Sequence, residues 1–293
     1  MGDRLFYCGV SLLSACSWAL GAILWRKLGD RLSSYGMNLA KTAIGALCLG
    51  VVLLSVGMEP IPARSILFLA LSGILGIAIG DTFFFLALMR LGPRRASLMG
   101  ALNPVAIAVS AAVVLGERPT AGVWAGIAAT TIGVGWVLWE RSSAGRVPED
   151  RVSGIRFGLL SVLCTAGAVL LAKVGVASVP TVHATWIRLL AGSAGLLFYG
   201  AARSELGVWV TPLREPALLA KVTGVVLVVV FGGFWLSLVA LKHIDAAIAG
   251  TLNATGPLFI LPMSVHFMKE KLSLPVILGT GVAVAGVGMI LHG

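Results

Sequence analysis

The feature that most constrains the fold is a series of hydrophobic stretches, each about 20 residues long, that recur along the whole chain. As an α-helix, a stretch of this length crosses a hydrocarbon core about 30 Å thick. None of the stretches alternates with the two-residue period of a barrel strand, so the backbone polar groups must be satisfied within helices. The sequence therefore predicts an all-α integral membrane protein with ten transmembrane helices, near residues 5–25, 34–57, 65–89, 96–115, 121–139, 156–177, 182–202, 217–241, 247–268 and 272–291.

Composition supports a bilayer location, because 58% of the residues are hydrophobic and only 12% are charged. The net charge of +10 does not indicate a nucleic-acid partner, since Lys and Arg cluster at the ends of the hydrophobic stretches. No small-residue cleavage site follows the first stretch, so we expect it to stay in the mature protein. Neither a disulfide framework nor a metal site is expected, because the four cysteines lie inside predicted helices without C-x-x-C spacing. These residues are Cys8, Cys16, Cys48 and Cys164. No cofactor is expected either.

The chain contains an internal repeat. A shift of 153 residues aligns the second half on the first from about residue 80 to 140, and it places Pro104 on Pro257 and Glu117 on Glu270. Near the start of each half the shift is 147, which places Lys41 on Arg188. The sequence therefore predicts one five-helix repeat at residues 1–139, a linker at 140–154 and a second five-helix repeat at 155–293.

The loop charges indicate that the two repeats are inverted. Because each repeat has an odd number of helices, the second must enter the membrane from the opposite side. The odd-numbered loops and the linker carry 15 Lys or Arg residues, against five on the other side. By the positive-inside rule, the odd loops face the cytoplasm and both termini face out. Inverted repeats of this kind occur in secondary transporters, which bind substrate between the two halves.

Several motifs resemble those of a known family: Asn103-Pro104, the run Leu115-Gly-Glu-Arg-Pro119 and its echo at Lys269-Glu-Lys271. With the glycines that follow them, these motifs resemble the drug/metabolite transporter superfamily, specifically its EamA-type members with two five-helix repeats. The resemblance implies a ten-helix carrier with a central cavity that exports amino acids, other metabolites or toxic organic compounds. The sequence looks most like the bacterial amino-acid exporters, which implies a multi-pass protein of the bacterial inner membrane.

Pro104 and Pro257 interrupt helices at corresponding positions of the two halves, which is the best sequence indicator of a transporter's binding site. Each removes one backbone hydrogen bond from its helix. The polar residues at these breaks are Asn103, Asn253 and Thr255. They either bind substrate at mid-membrane or satisfy the interrupted backbone, and both interpretations are open.

Three charged residues lie well inside the predicted spans: Lys41, Asp81 and Arg188. Lys41 and Asp81 are at similar depth from the same membrane face and could pair, either as a structural ion pair or in coupling transport to protons. Arg188 aligns with Lys41, but the residue that aligns with Asp81 is Phe234, so the second half has no carboxylate at that position. The missing partner of Arg188 is predicted to be a substrate carboxylate, unless its side chain extends to the interface instead.

Aromatic residues are further candidates for a cavity wall. Trp18, Phe85 and Trp186 lie within spans, and Phe85 follows Asp81 by four residues on one helix face. By contrast, Trp25, Trp124, Trp139 and Trp209 lie near span ends and are predicted to be interfacial anchors. Glu117 and Glu270 end the loops just before helices five and ten, where a helix-dipole or capping role at an N-terminus is expected.

The chain contains no P-loop, the motif that would indicate an ATP-driven pump. The sequence therefore favours a secondary carrier that works by alternating access. The expected partners are a small-molecule substrate and the lipid bilayer, with the protein acting as a monomer or homodimer. Efflux of drugs, organic cations or lipids is the alternative. A membrane-embedded enzyme is a remote one, because the chain has neither H-E-x-x-H nor G-x-S-x-G.

Overall fold

The structure is a computed structural model that describes residues 2–28, 31–91, 99–140, 151–256, 258–259 and 274–292. Most residues in these ranges are helical, and the ranges contain no strand. Seven of the described helices are long and apolar enough to cross a membrane: Gly2–Trp25, Ser34–Val56, Ala63–Phe84, Ala121–Trp139, Val152–Val176, Pro216–His243 and Leu274–His292. The predicted all-helical, multi-pass membrane fold is therefore confirmed at this level.

The α-helices lie close to the predicted spans, with two spans built from several pieces. In chain order they are α1 Gly2–Leu28, α2 Ser34–Val56, α3 Ala63–Gly73, α4 Asp81–Leu91, α5 Asn103–Val114, α6 Ala121–Glu140, α7 Arg151–Val176, α8 Thr181–Ala202, α9 Leu206–Val210, α10 Pro216–Leu227, α11 Leu236–His243, α12 Ala246–Asn253 and α13 Leu274–His292.

The short helix α9 was not predicted. It carries Trp209, which stacks on Tyr35 with ring centroids 5.2 Å apart and also contacts Tyr199. Trp209 is only 2% exposed, so the prediction that it is an interfacial anchor is wrong. Its indole closes the end of the α2 and α8 pair, where packing between rings outweighs a position at the interface.

Wider π-helical turns interrupt the third span of each half. Ile74–Gly80 joins α3 to α4, and Val228–Trp235 joins α10 to α11. Gly80 and Gly233 are aligned residues of the repeat, and a serine from the opposite half donates to the carbonyl of each. Ser161 Oγ lies 2.9 Å from Gly80 O, and Ser14 Oγ lies 2.8 Å from Gly233 O. The two bonds are counterparts, because Ser14 aligns with Ser161.

Helices α6 and α13 pack closely through glycine. A Cβ atom on Gly126 would lie 2.7 Å from Gly286 O, and one on Gly133 would lie 2.6 Å from Gly279 O. Because a side chain would not fit there, only glycine lets the two backbones approach this far. The residue numbers of the partners run in opposite directions, so the two helices are antiparallel.

Contacts between the halves follow a reciprocal pattern. The first helix of each half packs on the third span of the other: α7 contacts α3, Ile74–Gly80 and α4, and α1 contacts Val228–Trp235 and α11. The second helices, α2 and α8, pack on each other. Polar and aromatic side chains of these helices face a space between the halves.

The fourth span is a broken helix. A turn at residues 101–102 precedes α5, and Pro104 lies in the first turn of that helix. A proline there loses no hydrogen bond, so the chain stops and restarts at Asn103 instead of bending through an intact helix. In the second half α12 ends at Asn253, followed by a turn at Ala254 and Thr255. The predicted break at Pro257 lies outside the described residues.

Candidate substrate-binding cavity

Two adjoining cavities, of about 280 and 310 Å³, lie between the halves and share several walls. Five residues line both: Trp18, Thr165, Val169, Arg188 and Phe234. The first cavity extends along α5 and α12 past Asn103 and Asn253. The second extends along α2 and α4 to Lys41 and Asp81. The broken helix and the charged residues thus border two cavities that share a wall.

The structure brings Lys41 and Asp81 together at the wall of the second cavity. Lys41 Nζ lies 3.4 Å from Asp81 Oδ2 and 5.2 Å from the centroid of the Phe234 ring. The side chain of Lys41 is 12% exposed, whereas that of Asp81 is 37% exposed. The ammonium group is therefore held between a carboxylate and an aromatic face, and the carboxylate keeps part of its surface open to the cavity.

Arg188 lies on the border between the two cavities. Its Nε is buried and has no hydrogen-bond partner among the described residues. The guanidinium interacts electrostatically with Asp81, yet the two groups form no ion pair within the described chain. Gly73 allows this arrangement, because a Cβ atom there would collide with the backbone carbonyl of Arg188. Arg188 thus lines both cavities, and its buried Nε is a donor without a partner among the described residues.

An aromatic pair forms another wall. Trp18 and Phe234 meet edge to face, with ring centroids 4.7 Å apart and an interplanar angle of 66°. Gly233 allows this contact, since a Cβ atom on it would lie 2.9 Å from Trp18 Cε2. Trp186 instead packs against α2, where its Nε1 lies 3.3 Å from the place of a Cβ on Gly50, and it lines neither cavity. The side chain of Phe85 lies outside the described part of the chain.

The three polar residues at the helix breaks have different surroundings. Asn103 lines the first cavity, and its Oδ1 is buried without a partner in the described ranges. Asn253 also lines that cavity, but its amide donates to Ser237 Oγ at 2.6 Å, and its Oδ1 lies 3.3 Å from Ser14 Oγ. Thr255 is 1% exposed and donates to Leu252 O at 2.6 Å, which satisfies the turn. Of the three, Asn103 is the one with a buried polar atom that has no partner in the described ranges.

Thr165 and Val169 line both cavities from α7, and neither was predicted from the sequence. The repeat contains a signal for Thr165, because the shift of 147 residues aligns it with Trp18. Trp18 and Thr165 each line both cavities from the first helix of their half. Because Trp18 was already a candidate, its alignment with Thr165 could have identified Thr165 as well.

Polar contacts join the loops at the end of the cavity near Glu117. The Glu117 carboxylate accepts from the backbone nitrogens of Ala246, at 2.7 Å, and Ala247, at 3.2 Å. Glu117 therefore caps a helix N-terminus, as predicted, but the helix is α12 in the other half and not the following helix α6. Lys173 Nζ donates to Leu241 O at 2.7 Å and to Ile244 O at 2.5 Å, which fixes the same loop. Glu270 lies outside the described residues.

Comparison with known proteins supports the same assignment of fold. An uncharacterized transporter of Archaeoglobus fulgidus is 23% identical over 287 residues, which cover 96% of each protein. A chain in a solved crystal structure aligns with a TM-score of 0.77 and 19% identity over 99% of this chain and 96% of its own, and so shares the fold. The EamA-like transporter family matches residues 5–139 and again residues 152–292. Because these two matches cover nearly the whole sequence, the chain belongs to the EamA-like transporter family.

Proposed function

We propose that the protein is a secondary carrier that exports small polar metabolites, amino acids above all, through the cavity between its two halves. The single observation that carries this proposal is Arg188, a buried cation at the cavity wall whose Nε has no partner among the described residues. A guanidinium stays charged and binds a carboxylate through two parallel hydrogen bonds. A metabolite carboxylate would complete the site.

The proposed architecture is ten transmembrane helices in two inverted five-helix repeats, with the repeats at residues 1–139 and 155–293. The glycine contacts support it. Gly126 opposes Gly286 and Gly133 opposes Gly279, so aligned residues exchange partners across an antiparallel helix pair. A two-fold axis that relates antiparallel membrane helices must lie in the membrane plane, which is the geometry of an inverted repeat.

Alternating access is the proposed mechanism, and the reciprocal bonds from Ser14 and Ser161 support it. Each bond ties the first helix of one half to a π-helical turn of the other, next to the cavity. Single π-helical turns often mark functional sites, because their backbone is less regularly bonded than an α-helix. At the end near Glu117, the contacts of its carboxylate and of Lys173 would open when the cavity faces that side.

Coupling, location and assembly are also proposals. The Lys41–Asp81 pair borders the cavity, so a proton on Asp81 could be exchanged as substrate binds. The charge bias of the loops supports an inner-membrane location with the linker in the cytoplasm. The protein is proposed to act as a monomer or homodimer, since ten helices can enclose a cavity alone.

Efflux of organic cations or other apolar compounds is the second candidate. The observation that favours it is the edge-to-face pair of Trp18 and Phe234 on the cavity wall. Aromatic faces attract organic cations and accept apolar groups. Asp81 could balance the charge of such a cation.

Uptake into proteoliposomes tests the proposal. Wild-type protein is reconstituted and assayed with a panel of labelled amino acids and organic cations, with and without a proton gradient. Arg188→Gln is expected to lower uptake of carboxylate substrates about tenfold or more, since a hydrogen bond to a charged group contributes about 1.5–3 kcal/mol. Lys221→Gln removes an exposed cation outside the cavity and should transport like wild type. Normal uptake of carboxylates by Arg188→Gln would contradict the proposed role of this residue.

A further inference from the structure

The described residues that line the two cavities include three with a formal charge: Lys41, Asp81 and Arg188. Lys41 and Asp81 offset each other as a pair 3.4 Å apart. Arg188 then remains, and the described lining carries a formal charge of +1. Where a second carboxylate would lie by the repeat, Phe234 is present instead, so the asymmetry between the halves is what leaves the charge unbalanced.

A helix N-terminus adds positive potential at the same place, and the charge that remains on Arg188 has no acceptor at its Nε among the described residues. The first turn of α5, a helix of 12 residues, begins at Asn103 on the cavity wall, and a helix N-terminus carries a partial positive charge. Because charges attract and repel more strongly away from bulk water, an unbalanced charge in this space discriminates between solutes by their own net charge.

We infer that the cavity selects solutes of net charge −1, such as acidic amino acids and monocarboxylates, and that Asp81 sets this class by cancelling one of its two cations. The inference rests on the proposed function and narrows its substrate. A solute with one negative charge neutralises the lining. A neutral zwitterion leaves one positive charge there, a cation is repelled, and a dianion leaves an excess negative charge.

Asp81 is therefore a specificity determinant. It acts by cancelling the charge of Lys41 and not by attracting cationic solutes. A carboxylate with no cation beside it would attract amines from the solution. Here its nearest charged neighbour is the ammonium of Lys41, so its charge is already used. Removing Asp81 should not abolish transport. It should raise the charge of the lining and move the preference to a more negative solute.

The experiment uses the full-length chain in proteoliposomes with no imposed membrane potential. Four labelled probes of similar size differ in net charge at neutral pH: 2-oxoglutarate (−2), glutamate (−1), glutamine (0) and lysine (+1). Three single variants change the formal charge of the lining, and a double variant keeps it. Asp81→Asn gives +2, Lys41→Met gives 0, Arg188→Gln gives 0, and the double variant Lys41→Met with Asp81→Asn returns it to +1.

Wild type is expected to take up glutamate about tenfold faster than glutamine or lysine. Asp81→Asn should prefer 2-oxoglutarate, and Lys41→Met should prefer glutamine. The decisive variant is the double one, which lacks the ion pair but keeps the net charge. It should return to glutamate, and this recovery also shows that loss of the pair has not unfolded the protein.

The outcomes separate this inference from the function on which it rests. If wild type takes up none of the probes and nothing from the wider panel, the proposed carrier function fails and the inference fails with it. If wild type transports solutes but Asp81→Asn keeps the wild-type order of preference, the carrier function stands and selection by net charge is overturned. A wild-type preference for lysine would overturn it as well.

Discussion

Two glycines two residues apart on α6 should respond oppositely to the same substitution. A Cβ atom on Gly133 would lie 2.6 Å from Gly279 O, about 0.8 Å short of the 3.4 Å at which ordinary contact begins. The obstacle is the backbone of α13, which cannot turn aside as a flexible side chain could. Gly135, in contrast, has nothing within 4 Å of its Cβ position.

We expect Gly133→Ala to be destabilising and Gly135→Ala to be neutral or stabilising. Overpacking costs about 1–3 kcal/mol, whereas replacing glycine by alanine inside a helix gains roughly 0.5–1 kcal/mol at both positions. Since that gain is common to both variants, their free energies of unfolding should differ by about 2 kcal/mol. For a chain of this size, a difference of about 2 kcal/mol separates the two Tm values by roughly 4–8 °C.

The assay is thermal unfolding of the purified protein in detergent, followed by intrinsic tryptophan fluorescence at one fixed scan rate. A fixed rate is needed because unfolding of such proteins is commonly irreversible. Wild type and Gly135→Ala should unfold at similar temperatures, and Gly133→Ala clearly earlier. If Gly133→Ala were as stable as Gly135→Ala, the close antiparallel packing of α6 and α13 would be refuted, and with it the main support for the inverted repeat.

Three other substitutions test separate parts of the account. Glu117→Ala removes both backbone hydrogen bonds to α12 and should lower the free energy of unfolding by about 3 kcal/mol. The control Glu59→Ala changes an exposed loop residue and should leave stability nearly unchanged. Equal Tm values for the two variants would contradict the capping role. Asn103→Ala should raise KM for uptake and Thr255→Ala should not, since only the first lines a cavity; the reverse order would contradict the assignment. Trp209→Ala should lower stability by about 3–5 kcal/mol by the same assay, and a Tm unchanged from wild type would mean that α9 is not packed as described.

Much of the site was accessible from the sequence because the bilayer fixes depth. A helix rises 1.5 Å per residue, so counting from the span ends placed Lys41 and Asp81 at one level, and the structure has them 3.4 Å apart. The repeat then marked Arg188 and Phe234 as their counterparts, and all four line the cavity. The all-helical membrane fold followed from the length and hydrophobicity of the stretches alone.

Features that depend on contacts between the halves were not accessible in the same way. The partner of Glu117 is the start of α12, more than 120 residues away, and no local pattern distinguishes it from the start of α6. The π-helical turns at Ile74–Gly80 and Val228–Trp235 leave no periodic signal, because one wide turn barely shifts the pattern of apolar residues. Trp209 has the sequence context of an interfacial anchor, and only the rings around it reveal a buried side chain.

The most direct test of alternating access is the accessibility of a single thiol in the cavity. Thr165 lines both cavities, so Thr165→Cys is introduced after the four native cysteines have been replaced, and it is labelled in oriented proteoliposomes by a membrane-impermeant maleimide. Thr251→Cys, at a position that is 0% exposed, is the control and should not react. We expect Thr165→Cys to react with reagent added from either side of the membrane, and a transported solute to slow both reactions. Labelling from one side alone, whatever solute is present, would contradict alternating access.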